Sequence, residues 1–214
     1  MFGVTILIPT YNRANFAKLC SYNINSQTYP TIEKIIVADD GDIPLNLTCN
    51  YRVEYHRLPR CDIGSKRNYL KSKSKSTYSC FMDDDDFYHP DYVSNSIFNL
   101  ISNKADVSGS ADMTMYYKDE AYIHSCCNLH MLNEATLCFR TDYQGTFSIG
   151  TGEGRQFLKN LSNVAELSIE KIMICVIHSG NTIPKEKYAV NKIPIEYLEP
   201  YQEHIKILKS LDIL

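Results

Sequence analysis

Four consecutive carboxylates, Asp83-Asp84-Asp85-Asp86, directly follow the apolar run Tyr78-Ser79-Cys80-Phe81-Met82, and no other stretch restricts the fold as tightly. A strand with these residues at its end must deliver them to water or to a cation. Two ionised carboxylates about 6 Å apart repel by roughly 3 kcal/mol at an effective dielectric of about 20. If the chain stays extended, Asp83 and Asp85 project to the same side, because side chains alternate along a strand. Oxygen-only ligation suits Mg²⁺, Mn²⁺ or Ca²⁺ rather than Zn²⁺, and Mg²⁺ is typically held by one or two carboxylates together with substrate phosphates. A solvated acidic turn is the competing interpretation. The apolar run before the carboxylates and His89-Pro90 behind them favour the cation site. No loop glycine and twelfth-position glutamate follow Asp83, which excludes an EF-hand.

The apolar pattern around this run predicts an α/β fold. Val4-Thr5-Ile6-Leu7-Ile8, stopped by Pro9, and Lys34-Ile35-Ile36-Val37-Ala38, running into Asp39-Asp40-Gly41-Asp42, read as strands buried on both faces. A further strand is expected over Tyr51 to Arg57. Helices are expected over 13–25 with Asn12 as cap, over 65–75, and from Pro90 or Asp91 to about Asn103. Strands alternating with helices predict a doubly wound parallel sheet, whose ligands bind beyond the carboxyl ends of the strands. From about residue 105 the pattern changes. Val107 to Asp112, Thr114 to Tyr122 and Thr136 to Phe139 read as strands without intervening helices, so a mixed or antiparallel second half is expected. Helices are predicted again over 153–163 and 200–211.

A chain of 214 residues, 44% hydrophobic, can bury a full core, and we read one domain over 1–214 with halves 1–103 and 104–214. The net charge of −3 and the lack of a basic block beyond Lys66 to Lys75 argue against nucleic acid as a partner. No apolar run approaches the roughly 18 residues of a spanning helix, and Phe2 to Ile8 is too short for a secretory signal. The eight cysteines contain no C-x-x-C pair and several lie in apolar runs, so they read as free thiols in a reducing, cytoplasmic setting. The sequons at Asn46 and Asn160 are short matches that carry little weight without a secretion signal.

Three separated motifs together resemble the family 2 glycosyltransferases of GT-A (Rossmann-like) fold: Val4 to Arg13 with its Pro9-Thr10-Tyr11-Asn12-Arg13, then Ile36-Val37-Ala38-Asp39-Asp40-Gly41, then Phe81 to Asp86 with His89-Pro90-Asp91. The match is firm over 3–103 and loose afterwards. The resemblance implies an inverting, metal-dependent transfer of a hexose or deoxyhexose from a UDP-sugar, with Mn²⁺ or Mg²⁺, to a glycan, glycoprotein or other hydroxyl acceptor. By the same resemblance Tyr11 stacks on the nucleobase, in a pocket shaped by Pro9 and Thr10. Asp40, with Asp39 beside it, accepts the uracil N3–H. Lys66 and Arg67, in Gly64-Ser65-Lys66-Arg67-Asn68, contact uridine or diphosphate. Asp83 and Asp85 are the outer positions of an Asp-x-Asp motif, with Asp85 the better metal ligand and Asp83 or Asp84 nearer the ribose. His178 ligates the metal or holds the leaving diphosphate. From the residues alone, Gly64 followed by donors at a helix start already reads as an anion site.

The catalytic base is where the chain departs from that family, whose members commonly end an acceptor-side loop with a Glu-Asp pair. Here the matching stretch is Thr151-Gly152-Glu153-Gly154-Arg155-Gln156-Phe157, with glycine at the second position. Glu153 is the favoured base; Asp112 or Asp142 as substitutes, or an enzyme that mainly hydrolyses its donor, remain open. Two other classes compete: a sugar-phosphate nucleotidyltransferase, which usually carries a Gly-rich, Arg-containing loop where this chain has Pro9 to Arg13, and a non-catalytic metal- or glycan-binding module.

Overall fold

The structure is a computed structural model that describes residues 2–125, 132–150, 152–159, 161 and 163–211. Cys126, Cys127, Thr151 and the sequon positions Asn160 and Ser162 lie outside the described residues. The first half alternates as its apolar runs require. Strand β1 (Val4–Thr10) leads through a short 3-10 turn into helix α1 (Ala17–Asn25). Strands β2 (Ile32–Asp39) and β3 (Val53–Arg57) follow, then α2 (Ile63–Lys73), β4 (Tyr78–Phe81), the two-residue β5 (Phe87–Tyr88) and α3 (Tyr92–Asn103). The second half contains β6 (Val107–Gly109), β7 (Asp112–Tyr117), β8 (Glu120–Ser125), β9 (Cys138–Arg140), α4 (Gly154–Leu158), β10 (Val164–Glu166), β11 (Met173–Val176), β12 (Asn191–Ile193) and α5 (Gln202–Lys209).

Seven strands form the main sheet in the order β10-β6-β9-β4-β1-β2-β3, and five more form a second sheet, β12-β8-β7-β11-β5. Strand β1 pairs in parallel with β2 on one side and β4 on the other. The chain therefore leaves β1 in one direction and returns on its far side, which opens a crevice at the carboxyl ends of β1 and β4. All seven residues of β1 are buried, as expected for a strand covered on both faces. Antiparallel β9 joins β4 to β6, and this confirms the mixed character of the second half.

Several local expectations are corrected. Thr114 to Tyr122 is a hairpin of β7 and β8 rather than one strand, because Lys118 and Asp119 take left-handed backbone (φ 50° and 63°) and reverse the chain. The helix expected over 153–163 is confined to Gly154–Leu158. Asn12 does not cap a helix. It is itself left-handed (φ 51°), and its Oδ1 accepts the N–H groups of Asp42 and Ile43, which ties the end of β1 to the loop after β2. Cys80 and Cys138 face each other across β4 and β9 and are joined as a disulfide, whereas the sequence reading took every thiol as free. Among the described residues no helix is long and apolar enough to cross a membrane.

Candidate active site

A cavity of about 660 Å³ opens at the crevice, lined by the end of β1 and the residues after it, the residues after β4, the start of α2, Glu134, Gly150, Gly152, Glu153 and the loop from Gly180 to Lys185. Pro9, Thr10, Tyr11, Lys66, Arg67, Asp83, Asp84, Asp85 and Glu153 all line it. Asp39 and Asp40 do not; Asp40 lies behind Arg60, Cys61 and Lys66, which do. Asp39, fully buried, accepts Gly41 N–H through Oδ1 (2.8 Å) and the Tyr55 hydroxyl (2.5 Å) and Arg57 Nη1 (2.7 Å) through Oδ2. Both its oxygens are thus committed to holding β2, β3 and the turn together. The Asp40 carboxylate accepts Cys61 N–H (3.0 Å) and Arg60 Nη1 (2.8 Å) on one oxygen and the buried Lys66 ammonium on the other. Burial pushes Asp40 toward protonation, but these donors outweigh it and hold the carboxyl below its usual range. Behind these three donors the Asp40 side chain is fully buried, which leaves a nucleobase N–H little access to it. The same arginine covers the Tyr11 ring, with the guanidinium 3.6 Å from the ring centroid. Asp40, Lys66, Arg60 and Tyr11 are in this way one connected group, and Arg60 is the member that sequence reasoning missed.

The acidic run divides by partner. Asp83 faces Arg67 Nη2 at 3.2 Å. Asp85 lies 3.1 Å from Arg13 Nη2 and 3.0 Å from His178 Nε2. Burial alone would raise Asp85, but His178 and Arg13 reverse it and hold it at about 2. Asp84 is driven the other way, by burial first and by the neighbouring Asp85 charge second, and its Oδ2 is buried without a hydrogen-bond partner. Asp86 turns away from the cavity and accepts Val176 N–H at 2.9 Å, so it fastens the acidic turn to β11. His178 Nδ1 accepts Gly180 N–H (3.1 Å), so the ring hydrogen sits on Nε2 and is donated to Asp85. In that tautomer the histidine orients Asp85 and has no free lone pair for an ion.

Three further features depart from the sequence reading. The start of α2 is already capped: Asp62 accepts both the N–H (3.0 Å) and the hydroxyl (2.6 Å) of Ser65, which leaves the helix end less available to an anion. Gly64 serves close packing instead, since a Cβ there would run into the Ser148 carbonyl. Glu153, the favoured base, is buried and bound to Arg67 Nε at 3.2 Å. Burial raises its pKa, Arg67 pulls against that, and Glu134 adds to it. Asp112 accepts the Ser125 hydroxyl and Asp142 pairs with exposed Arg140; neither lines the cavity. Glu134, Arg13 and Lys185 do line it and were not singled out. Arg13 was legible as part of Pro9 to Arg13, whereas nothing in the local sequence marks Glu134 or Lys185.

The model of the family described as glycosyl transferase family 2 matches residues 5–158. The chain is similar to the glycosyltransferase GlyA of Streptococcus pneumoniae, 26% identical over 111 residues that make up 49% of this chain and 16% of that protein. It is 31% identical over 108 residues to an uncharacterised glycosyltransferase of Rickettsia felis, covering 47% of this chain and 18% of that protein. The chain thus spans under a fifth of the length of these relatives. Among solved structures, S. aureus TarS 1-349 in complex with UDP-GlcNAc superposes with a TM-score of 0.63 at 15% identity, over 99% of this chain and 68% of that one. The mannosyltransferase PcManGT of Pyrobaculum calidifontis in complex with GDP-Man and Mn²⁺ gives 0.62 at 14%, over 98% and 70%. At these identities the likeness establishes the GT-A fold alone.

Proposed function

The chain belongs to glycosyl transferase family 2, and from that premise we propose that it transfers a hexose or deoxyhexose from a UDP-sugar to a hydroxyl of a glycan or glycoprotein, with inversion and with the help of Mn²⁺ or Mg²⁺. The observation that carries this reading is the convergence of an aromatic ring (Tyr11), cations (Lys66, Arg67, Arg13) and the acidic run on one cavity at the strand ends. Residues 1–103 then serve the donor and 104–214 the acceptor. The nucleotide sugars bound by TarS (UDP-GlcNAc) and PcManGT (GDP-Man) are consistent with a nucleotide-sugar donor.

The donor set fits a hard divalent cation in kind. Asp83 and Asp85 offer oxygens, and the orphaned Asp84 Oδ2 is a buried oxygen in want of a positive partner. Among the described residues no three Asp, Glu, His or Cys side chains converge as a metal site, so the diphosphate would have to complete the shell. When bound there, such an ion offsets charge on the departing diphosphate. Arg13, already at Asp84 and Asp85, and Arg67, on Asp83, add fixed positive charge at the same place, and that is worth most where charge develops. His178 keeps Asp85 ionised and aimed.

A thermal-shift panel of nucleotide sugars with Mn²⁺ tests the reading. A UDP-sugar at a hundred times its Kd should raise stability by about 2.7 kcal/mol, and Asp85→Asn should remove the Mn²⁺-dependent part of the shift. Release of UDP supports the transferase; release of pyrophosphate from a sugar phosphate and UTP would replace it with a nucleotidyltransferase. A panel without any shift sinks it.

A further inference from the structure

Among the described residues the carboxylates lining the cavity are Asp62, Asp83, Asp84, Asp85, Glu134 and Glu153, and each but Glu134 caps a helix or lies within ion-pair distance of an arginine. Asp62 caps α2, Asp83 and Glu153 share Arg67, and Asp84 and Asp85 share Arg13, with His178 on Asp85 as well. Glu134 differs. Its Oε1 accepts the Gly154 N–H at 3.1 Å, and among the described residues it forms no ion pair. It is half-buried, so water and a ligand can both reach it.

Its position is fixed by the fold. Glu134 opens a 3-10 turn just before β9, where the Asn133 side chain accepts the Ala135 N–H (3.1 Å). The fully buried Tyr88 hydroxyl accepts Asp83 N–H (2.8 Å) and donates to the Ala135 carbonyl (3.0 Å). One phenol therefore ties the Glu134 turn to the acidic run. Space for the carboxylate comes from Gly154: a Cβ at that position would lie 2.7 Å from Glu134 Oε1. The glycine is needed here for room and not for its backbone freedom, because only a residue without a side chain lets Glu134 lie over the start of α4.

We infer that Glu134 is the general base of the transfer and that Glu153 is a positioning residue that holds Arg67 toward Asp83. This rests on the glycosyl-transfer reading above. In the step, the acceptor hydroxyl passes its proton to the Glu134 carboxylate while its oxygen forms a bond to the anomeric carbon. The bond from that carbon to the diphosphate oxygen breaks, and its electron pair stays on the diphosphate. Glu134 afterwards loses the proton to water. A base must be free to accept a proton, and a carboxylate held by a backbone N–H meets that condition better than one bonded to the guanidinium of Arg67.

The test uses the whole chain, the nucleotide sugar selected by the thermal-shift panel, Mn²⁺, and as acceptors water and the methyl glycosides of glucose, galactose and N-acetylglucosamine. Glu134→Gln preserves the acceptor for Gly154 N–H; it should bind the donor like the parent, release UDP roughly 10²–10⁴-fold more slowly, and lose the acid limb of the pH–kcat profile. Gly154→Ala, whose methyl group displaces the carboxylate, should also keep donor binding and lose turnover. Glu153→Gln should keep the acid limb and chiefly raise the donor KM. If Glu134→Gln turns over like the parent, or if Glu153→Gln is the variant that loses the limb, the assignment of Glu134 is overturned. Absence of donor binding by the parent itself is the separate failure of the glycosyl-transfer reading, and the inference falls with it.

Discussion

The two halves of the molecule meet at the cavity on opposite electrical terms. In the first half the carboxylates at the ends of β2 and β4 have cations against them: Asp39 has Arg57, Asp40 has Lys66 and Arg60, Asp83 has Arg67, and Asp84 and Asp85 share Arg13. The second half brings Glu153, which borrows Arg67 from the first, and Glu134, which has a backbone N–H. An anionic ligand thus meets positive charge that is already in place, most of it paired, with Lys185 of the second half and the unpartnered Nη1 of Arg67 as the exceptions. Electrostatic preorganisation on one wall and an uncommitted acid on the other is a division that suits a reaction with a charged leaving group and a neutral nucleophile.

The sharpest way to probe that comparison is to unbalance the first half. Lys66 is 4% exposed, and its ammonium bridges the Asp40 carboxylate and the Thr10 carbonyl (2.7 Å). Removing one member of a buried pair costs about 3–5 kcal/mol because a buried charge is left uncompensated. Arg60 and Cys61 N–H still serve Asp40 after the change, so Lys66→Met should fall at the low end, at about 3 kcal/mol in urea unfolding. Adding Asp40→Asn to that variant should recover part of the loss. A cost below about 1 kcal/mol, the size of a surface pair, would mean that the pair is not buried in solution.

The same division explains what could be read from the sequence. β1 and the second part of β2 are apolar, largely β-branched runs whose burial on both faces fits a parallel sheet, and their polar ends mark the crevice. The acidic run, Tyr11, Lys66 and Arg67 follow from that register. In the second half β6, β9, β10 and β12 are three residues each, too short to carry a period. They exist because long-range pairing holds them, and β9 joins β4 with β6 through partners about 30 to 60 positions away. Glu134 owes its place to that pairing and to space beside Gly154, neither of which is local in sequence. The disulfide of Cys80 with Cys138 was hidden for the same reason, because it depends on the register of β4 against β9.

A titratable group buried neutral in the second half tests the comparison from the other side. His204 on α5 is 1% exposed, packs on Tyr22, Phe87 and Tyr201, and faces the Tyr88 carbonyl through Nε2 at 3.1 Å. Burial lowers its pKa from 6.5 to about 4, against the pull of the Tyr88 carbonyl and with a smaller push from His89. The unfolded chain therefore binds the proton more readily than the folded one. Stability from this group is complete above pH 6.5 and is lost as pH falls from there toward 4, by about 2 kcal/mol at pH 5. In His204→Phe the drop in stability from pH 7 to pH 5 should shrink by that amount, read from urea midpoints at the two pH values. Parallel pH profiles for variant and parent would show that another group governs the acid loss.

The smallest expected effect concerns Tyr11, a cavity-lining residue whose ring is both exposed and already covered. The side chain is 40% exposed and lies at the carboxyl end of β1, with the Arg60 guanidinium 3.6 Å from its centroid and the Lys66 ammonium at 6.0 Å. A nucleobase can stack on the ring either by taking the place of Arg60 or by using the opposite face. In the first case binding loses a cation–π contact of about 0.5–1 kcal/mol at an exposed site, which offsets part of the stacking gain. Stacking of a base on an aromatic ring is worth about 1–3 kcal/mol by alanine substitution. Tyr11→Ala should therefore weaken UDP by an amount near the low end of that range if Arg60 is displaced, and near the high end if the free face is used. Calorimetric titration of UDP into Tyr11→Ala, Arg60→Ala and the double variant separates the two cases: displacement predicts that Arg60→Ala alone tightens UDP, whereas use of the free face predicts that it weakens UDP or leaves it unchanged. Unaltered affinity in Tyr11→Ala would remove the ring from the donor site and leave the first half to hold its ligand by charge alone.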